Sequence, residues 1–131
     1  ELVKRRYENS YEKHMGVRFN KYEDNYCEVE LDIEAKHLNI GGTCHGGVIN
    51  ALLDIALSGA VTCNFTNSAE TVVTMQMNVY FLRPGLEGDK LTAHGQVVKP
   101  GRTIYNVSGE IKNQDGKLVA RADGNWFIKK G

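Results

Sequence analysis

The chain has 131 residues, enough to close one hydrophobic core and to form a single domain over 1–131. Hydrophobic residues make up 41% and charged residues 24%, which excludes a disordered chain. Lys plus Arg and Asp plus Glu both number 16, giving zero formal charge, so nothing marks the chain for nucleic acid or an anionic membrane.

Residues 1–14 are charged, with Leu2, Val3, Tyr7 and Tyr11 as the apolar positions. This predicts a short amphipathic helix lying on the body and ended by Gly16. The basic cluster Lys4, Arg5 and Arg6 reads as a solvated face of it. From Tyr26 the period becomes two. Cys27, Val29, Leu31 and Ile33 alternate with Glu28, Glu30 and Asp32, predicting a half-buried strand.

The period changes again over 46–63. Val48, Ile49, Ala51, Leu52, Leu53, Ile55, Ala56, Leu57, Ala60 and Val61 cover most of a helix surface. Asn50, Asp54, Ser58 and Thr62 follow one another at intervals of four and form one polar stripe. A helix apolar on all but one stripe must be nearly enclosed.

Four strands are expected after it. Over 72–82, Val73, Met75, Met77, Val79 and Phe81 alternate with Thr74, Gln76, Asn78 and Tyr80, and Pro84 and Gly85 end the run. Strands follow over 90–98, with Leu91, Ala93, Gly95 and Val97 on one face, then over 103–112 and 117–128, joined by a hairpin through Asn113–Gly116. Sequential strands with short joins give an antiparallel sheet. The expected class is α+β, with a curved sheet wrapped around one long helix, whose remaining flank another subunit would cover.

No apolar run approaches the ~20 residues of a membrane span, and no basic start leads into an apolar stretch, so neither a span nor a secretory signal is expected. Cys27, Cys44 and Cys63 are odd in number and lack CxxC spacing, and His14, His37, His45 and His94 are scattered. Disulfides and a metal site are therefore not expected, and a cytoplasmic location is. Cys44 neighbours His45 in sequence only, with no third group to orient a nucleophilic pair.

The segment carrying chemistry is HLNIGGTCHGGVINALLDIALSGAV, His37 to Val61. Asn39 reads as a turn residue. His45 reads as a structural histidine or as a neighbour of a leaving group. Asp54 sits between Leu53 and Ile55, where a buried, unpaired charge would cost several kcal/mol. Its residue type alone leaves open a catalytic carboxylate, a solvent-facing stripe or a subunit contact.

Asn39, His45-Gly46-Gly47 and Asp54 in this spacing, followed by Thr74 in VVTMQMNVYFLRP, resemble the PaaI-like hotdog thioesterases. The likeness runs from about residue 15 to the end. It implies a hotdog fold and hydrolysis of aryl- or medium-chain acyl-CoA to free acid and CoA, with no cofactor or metal. It also implies a homodimer with sites shared between subunits, often doubled to a homotetramer. On this resemblance Asp54, Gly46, Asn39 and His45 are the expected catalytic set. The Gly46 amide would meet the oxyanion, and Asp54 would activate water or attack the carbonyl. Gly47, Thr74, Arg83 and Arg102 are expected to bind substrate; Arg83, Lys99, Arg102, Lys129 and Lys130 are the candidate contacts for CoA phosphates. The competing classes on the same fold are a non-catalytic acyl-CoA-binding module and a hydroxyacyl dehydratase.

Overall fold

The computed structural model describes residues 6–66 and 69–129. Two short helical pieces come first, residues 6–8 and α1 (Tyr11–Met15). The expected helix over 1–14 is therefore broken, and residues 1–5 lie outside the described part. The break is a cap. Ser10 is extended, and its hydroxyl accepts the Lys13 N–H, so a new helix starts there. Gly16 closes α1 with φ 94°, a left-handed conformation that glycine takes without steric cost.

Strands β1 (Arg18–Glu23) and β2 (Tyr26–Asp32) follow, then a 3₁₀ turn (Ala35–His37) and the central helix α2 (Gly46–Thr62). The chain ends with β3 (Thr71–Phe81), β4 (Lys90–Lys99), β5 (Ile104–Lys112) and β6 (Leu118–Lys129). All six strands join one sheet in the order β1-β2-β4-β5-β6-β3, and every pairing is antiparallel. Helix α2 contacts all six strands, so the sheet wraps it as the sequence predicts.

The helix is held because its apolar faces have nowhere else to go. Leu52, Leu53, Ala56, Leu57, Ala60 and Val61 are fully buried, against Val29 and Leu31 of β2, Leu91 and Ala93 of β4, Val107 and Ile111 of β5 and Trp126 of β6. Close seating needs small residues at the contact. A Cβ on Gly95 would lie 2.5 Å from the Ala56 carbonyl oxygen, and one on Gly59 would lie 2.5 Å from Cys27 Sγ. Sheet and helix therefore meet backbone to backbone at Gly95, while at Gly59 the Cys27 side chain lies against the helix. Burial also pushes the Cys27 thiol up to about 12, which leaves it an inert core group.

Two details depart from the sequence reading. Strand β1 was not expected. On β3, a register shift lies between Thr74 and Gln76. This bulge breaks the alternation, so Val73 and Met75 are exposed while Val72, Met77 and Val79 are half-buried. One extra residue on a strand turns the side chains beyond it to the other face.

Candidate active site

The polar stripe of α2 is where the site forms. Asp54, Ser58 and Thr62 are half-buried, whereas Asn50 is exposed. The first three line a groove of about 610 Å³ whose other walls are Arg6, Tyr7 and Glu12 of the N-terminal segment and Phe19 and Tyr22 of β1. Ile55 adds an apolar surface beside Asp54.

Asp54 is positioned from two elements. Thr74 Oγ1 donates to Asp54 Oδ1 at 2.7 Å, and Ser58 Oγ donates to the same oxygen at 3.2 Å. Ser58 in turn accepts from Trp126 Nε1 at 2.9 Å. A buried indole thus fixes a hydroxyl that fixes the carboxylate. Among the described residues no donor reaches Asp54 Oδ2, so one oxygen is restrained and the other is open to a ligand or water. The β3 bulge makes this possible: Thr74 pairs with the buried Trp126 and faces the helix. The sequence reading named Asp54 and Thr74, and the structure brings these two together. That reading passed over Ser58, visible as part of the stripe, and Trp126, which gave no local signal.

The start of α2 is arranged differently. His45 is its N-cap; Nδ1 accepts the Gly47 N–H at 2.8 Å, so the ring holds the turn. The His45 amide donates to the His37 carbonyl at 2.8 Å. His37 is itself buried, with one ring nitrogen accepting from Glu34 N–H at 2.9 Å and the other 2.8 Å from the Met15 carbonyl. It ties the end of α1 to the loop that carries Asn39. The Asn39 side chain closes its own turn, accepting from Thr43 N–H at 3.2 Å and donating to Thr43 Oγ1 at 3.0 Å. One amide hydrogen remains unused.

Gly46 has no intrachain acceptor for its N–H among the described residues, leaving a donor at the positive end of the helix. Its backbone is not in the left-handed region, and a Cβ there would meet only the Phe81 ring at 3.6 Å. Gly46 therefore carries no left-handed backbone strain.

One chain does not bring these groups together. Gly46 and Asp54 are eight residues apart on one helix, about 12 Å along its axis. The candidate phosphate contacts are separated further. Arg83 N–H bonds the Val119 carbonyl at one end of β6, while Thr103, next to Arg102, takes the Ile128 N–H at the other. That spans nine residues of strand, about 30 Å. Lys130 lies outside the described residues. No group of three or more His, Cys, Asp or Glu suited to a metal ion occurs among the described residues, and no helix there is long and apolar enough to cross a membrane.

The thioesterase superfamily model matches residues 41–120. Acyl-coenzyme A thioesterase PaaI of Escherichia coli is 36% identical over 82% of this chain and 74% of its own length. The solved structure of the E. coli PaaI protein from the phenylacetic acid degradation operon superposes with TM-score 0.88 and 31% identity, covering 98% of this chain and 91% of that one. A hypothetical thioesterase from Streptococcus pneumoniae, solved with coenzyme A, superposes with TM-score 0.80 and 28% identity, covering 87% and 89%. The chain belongs to the thioesterase superfamily, within its PaaI-like hotdog group.

Proposed function

We propose that this protein hydrolyses acyl-CoA thioesters carrying aryl- or medium-chain acyl groups, with Asp54 as the catalytic carboxylate. The observation that carries the reading is the half-committed carboxylate: Asp54 Oδ1 is held by Thr74 and Ser58, and Asp54 lines the groove. Its free oxygen takes a proton from water as the water oxygen attacks the thioester carbonyl carbon. Negative charge builds on the carbonyl oxygen and is met by the Gly46 N–H. The C–S bond then breaks, the leaving thiolate takes the proton that Asp54 had accepted, and acid, CoA and the ionised carboxylate result. The chemistry needs no cofactor beyond the CoA of the substrate. Direct attack by Asp54 is the variant of this step; single turnover in isotopically labelled water separates the two by whether label enters the carboxylate.

The 12 Å between Gly46 and Asp54 supports a site shared by two copies. Thr74, beside Asp54, and Phe81, beside Gly46, stand toward opposite ends of β3, which is an exposed edge strand. Antiparallel pairing of β3 with β3 of a second copy, centred near Met77 and Asn78, sets Thr74 of one chain opposite Phe81 of the other. It brings the carboxylate of one subunit to the helix start of its partner. It also brings Arg83 of one toward the Arg102 end of the other, where both can serve one CoA. Three free cysteines, two of them buried, accord with a cytoplasmic location.

The test is release of free thiol from a panel of acyl-CoAs. Asp54→Asn keeps the side chain's size and should lower kcat on the best substrate at least ~100-fold, the scale of acid–base contributions, with Tm unchanged or higher. Mixing inactive Asp54→Asn and Asn39→Ala proteins under subunit exchange should restore part of the activity, since a mixed dimer holds one intact site. Full activity in folded Asp54→Asn protein would falsify the assignment.

A further inference from the structure

The groove is not uniformly apolar beyond Asp54. At its far end Tyr22 OH and Thr62 Oγ1 lie 2.6 Å apart. Of their two protons, one joins the pair. The other has at best the Gly59 carbonyl, 3.5 Å from Thr62 Oγ1, at the limit of a useful hydrogen bond. The pair therefore keeps spare donor and acceptor capacity facing the groove that both residues line. Ser58, midway along, is already committed to Asp54 and Trp126. Partial burial raises the Tyr22 phenol above its ordinary value, against the opposing bond to Thr62, so it acts as a neutral hydroxyl.

Resting on the acyl-CoA reading above, we propose that this hydroxyl pair recognises a hydroxyl group on the far end of the acyl chain, making terminally hydroxylated medium-chain acyl-CoA the preferred substrate class. Length sets the class. Thr62 is eight residues beyond Asp54, about 12 Å along the helix. Subtracting one hydrogen bond of ~2.8 Å leaves ~9 Å, and an extended chain advances about 1.2 Å per bond. A chain of about eight carbons fits that span. An arylacetyl group ends about one helical turn from the carbonyl, beside the committed Ser58, and leaves the pair unmet. Charge sets the end group. Arg6 and Glu12 both line the groove, so a terminal carboxylate or ammonium meets a like-charged wall as well as an opposite one. A neutral hydroxyl meets neither penalty and has a matched partner. A plain alkyl end would cover the pair without satisfying it.

The experiment compares kcat/KM on octanoyl-CoA and on its terminally hydroxylated counterpart. The native protein should favour the hydroxylated chain by about tenfold, the worth of one net hydrogen bond. Tyr22→Phe and Thr62→Val each remove one hydroxyl and keep the shape, and in each the ratio should fall toward one. A ratio at or below one in the native protein overturns this inference while leaving the thioesterase reading intact. So does a preference that survives both substitutions. Turnover of no acyl-CoA at all overturns both readings together.

Discussion

β1 and β3 both end the sheet, yet their surfaces differ in every respect that governs pairing. β1 is six residues long and carries Arg18, Lys21 and Glu23. Arg18 bonds Glu30 at 2.9 Å and Asp32 at 3.0 Å, and Asn20 Nδ2 reaches Glu28 and Glu30 at 3.2 Å. Short, charged edges resist the addition of another strand. β3 is eleven residues long with no charged residue among TVVTMQMNVYF. Val73, Met75, Tyr80 and Phe81 are exposed along it, and Leu82 just beyond. An apolar edge of that length invites a partner. The groove follows the same division, since Asp54 is held by Thr74 of β3 while β1 supplies the far wall.

The sharpest way to break this contrast is to charge the open edge. Met75→Lys puts an ammonium in the exposed apolar row, and its counterpart on the closed edge, Lys21→Ala, removes one. Met75→Lys should shift the mass in light scattering toward the monomer. On the shared-site proposal turnover should fall ~100-fold, because each carboxylate would lose its partner's oxyanion donors. Lys21→Ala should leave the mass unchanged. Full activity in a monomeric Met75→Lys protein would show that one chain suffices.

A smaller effect separates backbone from side chain at the helix start. Gly46→Ala has room in the fold, with only the Phe81 ring in contact, so any loss reports on substrate approach. We expect kcat to fall ~10- to 100-fold, with weaker change in binding of a non-hydrolysable CoA analogue. His45→Ala removes the bond to Gly47 N–H and should cost about 1 kcal/mol of stability with a smaller kinetic loss than at Asp54. Harmless Gly46→Ala together with an inactive, folded His45→Ala would move the catalytic role to the imidazole.

The edges were also where sequence reading failed, and for one physical reason. The inner strands β2, β4, β5 and β6 were legible because each buries one face at period two over most of its length, with register shifts only near strand ends. β1 has a register shift between Phe19 and Lys21, which leaves its aromatics Phe19 and Tyr22 three residues apart and hides the strand. β3 was recognised, but its bulge placed Val73 and Met75 on the wrong face. The central helix was plain because ten of its residues are large aliphatics or alanines around one stripe. Asp54 stood out by its surroundings. Trp126 and Tyr22 could not, since their partners on the stripe lie 68 and 40 residues away in sequence.

The closed edge gives the smallest effect, visible in acid. Burial raises the Glu30 carboxyl, but hydrogen bonds from Asn20, Arg18 and Lys90 outweigh it and hold the group below its ordinary value of 4.5. A depressed carboxyl stabilises the fold above its unfolded pKa. That contribution begins to fade as pH drops through about 4.5 and is gone below the folded value. Glu30→Gln should therefore lower Tm by a few degrees at pH 7, and the gap from the native protein should narrow as the pH falls below about 4.5. Asp54 is held from the other edge, by Thr74 of β3, so turnover on octanoyl-CoA should change far less than in Met75→Lys. A Tm gap that stays constant from pH 7 to 3 would mean that the β1 edge owes its order to packing rather than to this ion-pair cluster.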